Sequence, residues 1–257
     1  MNELKVQQKI KRYKNGNFEI VTDPVVKEVS FRIFVNYKRL VSIACMPENL
    51  QELAIGFLFS EGLLLNMKEL ISSKMNFDEL YIDFQLQIPE DRITSFFETG
   101  EKTSGCGSTL SAAISGSCDK FPKIKLDAEK ILLQMRQFQK ESALFKETGG
   151  VHSAGIVIAD KLIFSADDIG RHNAVDKVVG MAAQNGVSLQ NSYLICSGRI
   201  SSEIVKKCVR LDIPVIVSQS AATSEAIRLG LKYKVFIIGF ARGKRFNLYT
   251  GFDKAIF

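Results

Sequence analysis

The chain of 257 residues is 46% apolar, enough to bury one large core or two modest ones. Lysine and arginine outnumber aspartate and glutamate by 34 to 28, a modest excess that suits anionic small molecules and lacks the concentrated charge of a nucleic-acid-binding tail. The polar, lysine-rich residues 1–17, the want of any membrane-length apolar run and five irregularly spaced cysteines argue against a signal peptide, a membrane span and a disulfide framework, so the expected setting is the cytoplasm.

Along the chain, Val29, Phe31, Ile33 and Val35 alternate with Ser30, Arg32 and Asn36, and with 40–44 they predict a hairpin. Apolar residues at helical spacing over 47–65 predict a helix, with Gly62 as its end or a break. Leu80, Ile82, Phe84, Leu86 and Ile88 read as a half-buried strand. The Gly-, Ser- and Thr-rich stretch 100–125 interrupts this rhythm. It is taken as the boundary between a first α+β domain, 1–125, and a second, 126–257.

The second part opens with an amphipathic helix over 127–145 and a short hairpin over 156–164 turning at Asp160-Lys161. Helices over 173–185, 201–210 and 223–231 then alternate with strands over 193–196, 215–217 and 235–238. Such alternation predicts an α/β domain with parallel strands.

The two histidines, His152 and His172, flank the predicted hairpin in the runs Thr148-Gly149-Gly150-Val151-His152-Ser153 and Asp167-Asp168-Ile169-Gly170-Arg171-His172-Asn173. The hairpin brings these polar runs together, either as a satisfied hydrogen-bond network or around a ligand. The loops after the strands repeat small hydroxyl residues, glycine and arginine: Ser197-Gly198-Arg199, then Ser218 to Thr223, then Gly239 to Arg245. Ligands of open α/β sheets bind beyond strand carboxyl ends, and helix N-termini there present free N–H groups to phosphate. Helix capping is the simpler reading of Ser197 or Thr223 taken alone. Gly239, Gly243 and Lys244 fall one residue short of a P-loop, with Arg245 where a Ser or Thr would hold magnesium, and no G-x-G-x-x-G occurs.

Cys45, Cys196 and Cys208 have apolar neighbours, whereas Cys106 stands between Gly105 and Gly107 in a polar segment and is the expected reactive thiol. A helix start near Ser108 and a nearby cation could lower its pKa by about two units from about 8.5, which takes roughly 2.7 kcal/mol. Zinc is not expected, because His152 is followed by Ser153-Ala154 and no C-x-x-C exists. Cys106, His172 and Asp168 form a formal hydrolase triad whose geometry the sequence does not fix.

Six segments, in order, resemble the formate dehydrogenase accessory sulfurtransferases, the FdhD family: Glu52 to Gly62, Ser104-Gly105-Cys106-Gly107, Thr148 to His152, Asp168 to Lys177, Ser197-Gly198-Arg199, and Gly239 to Asn247. The resemblance implies a sulfurtransferase that takes sulfur from a cysteine desulfurase as a Cys106 persulfide. It would pass that sulfur to the molybdenum of bis-molybdopterin guanine dinucleotide, activating the formate dehydrogenase apoenzyme. It further implies a homodimer and a cytidine-deaminase-like fold without zinc for the second domain. Phe240, Ala241, Arg242, Gly243, Lys244 and Arg245 match the cofactor-holding loop, and guanosine diphosphate would mimic the cofactor there. Ser197, Arg199, Ser218, Thr223, His172 and Asn173 are expected in the same cleft. Thr109 stands where many family members have a second cysteine, which leaves as an alternative a cofactor-binding chaperone without catalysis; a thiol-dependent nucleotide hydrolase is a separate alternative from another class.

Overall fold

A computed structural model describes residues 3–98 and 125–252. It opens with an antiparallel hairpin, β1 (Lys5–Lys14) and β2 (Asn17–Val26). Asn15 and Gly16 form its two-residue turn, both with positive φ, the combination that matches the twist of paired strands.

A second sheet holds β3 (Val29–Val35), β4 (Lys38–Cys45), β5 (Leu70–Asn76) and β6 (Tyr81–Leu86) in the order β4-β3-β6-β5, with only the β3–β6 pair parallel. The alternation seen in the sequence is the burial pattern of β3: Phe31, Ile33 and Val35 point into a core shared with Leu53, Leu58, Ile82 and Phe84. That core is covered by α1 (Leu50–Ser60), while α2 (Glu90–Glu98) adds Phe96. The predicted helix over 47–65 is shorter than expected, and Gly62, at φ +75°, ends it as foreseen.

The expected long helix over 127–145 is two helices, α3 (Ala128–Glu141) and α4 (Ala143–Thr148). Ser142 breaks it by leaving the helical conformation and accepting a hydrogen bond from Phe145 N at 3.0 Å, as an N-cap does. β7 (His152–Ile158) and β8 (Lys161–Asp168) form the expected hairpin, with the turn at Ala159-Asp160, one residue earlier than predicted. There follow α5 (Arg171–Gln184), β9 (Ser192–Cys196), α6 (Ser202–Arg210), β10 (Val215–Ser218), α7 (Ser224–Tyr233), β11 (Phe236–Arg242) and β12 (Arg245–Leu248).

These strands make one six-stranded sheet ordered β12-β11-β10-β9-β7-β8. Its centre is parallel as expected, but β7, β8 and β12 run antiparallel to their neighbours, so the sheet is mixed. Both faces are buried, which explains the unbroken apolar runs. Leu194 and Cys196 face one core with Val178, Ile204 and Ile216, whereas Ile195 faces another with Ile131, Met135 and Phe138 of α3.

The two large sheets are joined through α1 and α5. A Cβ at Gly56 would lie 1.7 Å from Asp176 O, and one at Gly180 only 1.9 Å from Glu52 O, so the helices touch backbone to backbone. Beside this crossing, Lys207 of α6 is buried at 2.7 Å from Asp176 and 3.3 Å from Glu61. Burial opposes its charge, but the two carboxylates outweigh that and raise its pKa. No helix among the described residues is long and apolar enough to cross a membrane.

Candidate cofactor cleft at the strand ends

The loops after β9 and β10 and the end of β11 are stitched into one rim by their backbones. Ile200 N donates to Ala221 O (2.9 Å), Thr223 N to Ile200 O (3.0 Å), Gln219 N to Cys196 O (3.2 Å) and Phe240 N to Ser220 O (3.0 Å). Ser218 lies beneath this rim, fully buried, donating to Gly198 O at 2.7 Å and accepting from Ser220 N. Thr223 caps α7 by accepting from Ala226 N. Ser197 is not a cap: its hydroxyl accepts from Ser153 N (2.9 Å) and lies 3.3 Å from His152 Nδ1. Arg199 is exposed on the rim.

The last segment departs from the sequence reading. Phe240 to Arg245 is a β-hairpin and not a strand-end loop, because β11 continues through a bulge between Gly239 and Arg242, and Arg242 pairs with Arg245 across Gly243-Lys244. Two features force the bulge. Phe240 adopts φ +52°, and a Cβ on Gly239 would lie 2.9 Å from Ser220 O, so only glycine allows the two loops this close. Arg242, Gly243, Lys244 and Arg245 are exposed, Ala241 is buried, and the Arg242 guanidinium lies over the Phe240 ring at 5.5 Å. A rigid turn thus carries three cations toward solvent, a surface suited to pyrophosphate.

The predicted meeting of the histidine runs occurs across the β7–β8 hairpin, where Ser153 Oγ donates to Asp167 at 2.6 Å and His152 pairs in register with Asp168. The Asp168 carboxylate and Lys177 are both 0% exposed and 2.7 Å apart. Asp168 also accepts from Met46 N (3.1 Å), Gly170 N (3.0 Å) and Asn173 Nδ2 (2.8 Å). Asn173 Nδ2 donates in addition to Ala44 O, so this residue ties the end of β4 to the start of α5. His172 turns away from Asp168: its Nε2 lies 3.4 Å from Ser201 Oγ. The Asp–His leg of the formal triad is therefore not formed. Burial, then the charges of Lys207 and Arg171, push the His172 pKa down to about 4. Burial and two arginines lower that of His152 as well, so both rings are neutral at pH 7. Gly198 is pressed against Arg171 and His152, with a Cβ there meeting Arg171 at 2.9 Å and His152 Nδ1 at 3.5 Å.

The cysteines sort cleanly. Burial pushes the Cys45 thiol up to about 12 and Cys196 to about 11, and raises Cys208 too, so these three are inert packing groups, as their neighbours in the sequence suggest. Cys106 and Cys118 lie outside the described residues. Sequence reasoning missed a cavity of about 190 Å³ beside Ser197, lined also by Phe138, Gln139, Ser142, Phe145, Ser153 and Gln219. Its walls come from four separate segments, and no local pattern marked the helical ones.

The FdhD/NarQ family model matches residues 26–256. The chain belongs to that family. Among its relatives, proteins named sulfur carrier protein FdhD from Listeria monocytogenes and Bacillus subtilis are 35% and 34% identical, over 96% and 93% of this chain and 97% and 93% of theirs. A crystal structure described as that of a formate dehydrogenase accessory protein from Desulfotalea psychrophila superposes with a TM-score of 0.79, over 99% of this chain and all of that one. At 24% identity this likeness speaks for the fold, which is shared from end to end.

Proposed function

We propose that this FdhD-family chain is a sulfur carrier acting as a sulfurtransferase for formate dehydrogenase. The observation that carries the reading is a rim of two loops stitched to the β11–β12 hairpin, with four exposed cations, Arg199, Arg242, Lys244 and Arg245, in a chain whose relatives are named sulfur carriers. In this reading Cys106 thiolate attacks the outer sulfur of a cysteine desulfurase persulfide. A Cys106 persulfide forms and the desulfurase thiolate leaves. The S–S bond of that persulfide would then break with the Cys106 thiolate leaving, and the terminal sulfur would go as sulfide to the molybdenum of bis-molybdopterin guanine dinucleotide, a substrate whose reduced metal would supply the two electrons and whose pyrophosphate Arg242, Lys244 and Arg245 receive.

Two facts support giving the sulfur to Cys106. The three buried thiols, raised to about 11 or above, are poor nucleophiles, and Cys106 stands in the sequence between two glycines in a polar segment, without the apolar neighbours of the other three. Ser197 and the two neutral histidines wall the cleft. Separate apolar cores under the two large sheets support a two-domain division near residue 125, with the second domain of the cytidine-deaminase-like type. Homodimer formation and a cytoplasmic setting complete the reading.

Incubation with a cysteine desulfurase and sulfur-labelled cysteine tests it. Label is expected on the wild type and not on Cys106→Ala. Label on neither sinks sulfur transfer and leaves the chaperone reading. Nucleotide turnover abolished by Cys106→Ala would establish the hydrolase instead.

A further inference from the structure

We infer that the β1–β2 ribbon is a docking arm for an acidic, apolar-centred surface of the protein that receives the sulfur. The inference rests on the proposed delivery of sulfur and adds the surface that holds the two proteins together. Only the foot of the ribbon is fixed to the body. Lys5 pairs with Glu147 of α4, α4 packs on β2, and a Cβ on Gly150 would lie 3.0 Å from Val26. Tyr13 stands eight residues beyond Lys5, about 27 Å further along the strand.

The tip has the chemistry of a contact surface. Directly paired residues share one face of a ribbon, so Tyr13, Phe18, Lys11, Ile20 and Lys9 lie on the same side. Tyr13, Phe18 and Ile20 are 63%, 64% and 66% exposed, the two rings are 5.2 Å apart, and the Lys11 ammonium lies over Phe18 at 4.8 Å. Folding leaves this apolar surface in water, where an isolated two-stranded ribbon gains little from it. Lysines that guard a strand edge against aggregation account for the charges and not for three large apolar side chains between them.

Charge and position select the occupant. Residues 5–26 hold five cationic side chains and two acidic ones. Arg12 pairs with Asp23 and Lys5 with Glu147, which leaves Lys9, Lys11 and Lys14 for an acidic surface. A second copy of the chain matches poorly, because the ribbon carries half of the net charge of +6 and the remainder is itself cationic. α4 stands between the ribbon and the cofactor cleft. Ala143, Leu144 and Glu147 line a groove of about 420 Å³ with Leu4 and Lys5, while Ser142 and Phe145 line the cavity beside Ser197. A single helix, about 10 Å across, thus separates the two places, and a protein seated on the ribbon stands beside the cleft that its cofactor must reach.

Binding of the full chain to sulfur-deficient formate dehydrogenase containing its molybdenum cofactor tests the assignment. In Tyr13→Ser/Phe18→Ser/Ile20→Ser, and separately in Lys9→Glu/Lys11→Glu, affinity is expected to fall about tenfold or more, and added salt should weaken wild-type binding more than that of the lysine variant. All five positions are exposed, so thermal unfolding and the loading of Cys106 by the desulfurase are expected to match the wild type. Equal affinity in the wild type and both variants overturns this inference alone. So does a loss of desulfurase loading with binding to the enzyme intact, which makes the donor the occupant, or a changed oligomeric state, which makes it a second copy. A wild-type chain that takes no label at Cys106 overturns the sulfur-transfer reading and this inference with it.

Discussion

At the scale of single residues, the cleft is built from polar groups that spend most of their hydrogen-bonding capacity on the fold. Asp168 is a buried carboxylate kept tolerable by one cation and three N–H donors, and Asn173 and Ser218 hold backbone segments in register. The local runs marked these residues as special without saying for what, because a buried hub and a ligand site draw on the same residue types. His172 shows what burial costs. An imidazole held near 4 in the folded chain and at its ordinary 6.5 when unfolded takes up its proton in the unfolded chain first. Its influence on stability is absent above pH 6.5, grows as pH falls toward 4 and then levels off, a loss of about 3 kcal/mol at about 1.4 kcal/mol per pH unit. Urea titrations at pH 7 and pH 4.5 should therefore show the wild type losing more stability than His172→Gln. Equal losses would mean that His172 carries its proton in the folded state.

At the scale of elements, the sequence announced strands and helices wherever apolar period and packing agreed. β3, β6, β9 and the β7–β8 hairpin lie close to where alternation placed them. The β1–β2 ribbon went unread because its residues are mostly exposed, although Asn15-Gly16 is a strong hairpin signal. β12 was missed because a short strand after a glycine-rich turn reads as loop, and the helix break at Ser142 because a capping serine inside an amphipathic pattern leaves the period intact. The α1–α5 contact could not be read at all. Gly56 and Gly180 look like weak helix residues in sequence and are the two places where backbones meet. Gly180→Ala forces the helices apart, and a loss of about 3 kcal/mol or more in thermal unfolding is expected, against less than 1 kcal/mol for an open helical site. A neutral or stabilising result would contradict the close crossing.

At the scale of the whole molecule, the six matching segments gave the family, and residues 26–256 bear it out. The strand-end rim was legible because α/β sheets bind ligands there. The cavity beside it was not, since Phe138, Gln139, Phe145, Ser197 and Gln219 meet only after α3 packs across the sheet. The central claim is that sulfur travels through this chain, and a chase experiment tests it most directly. The protein is loaded with labelled persulfide, freed of desulfurase and cysteine, and mixed with sulfur-deficient formate dehydrogenase containing its molybdenum cofactor. The account predicts that label leaves Cys106 and appears on the enzyme in step with formate oxidation. Formate oxidation that rises while the label stays on Cys106 would contradict it.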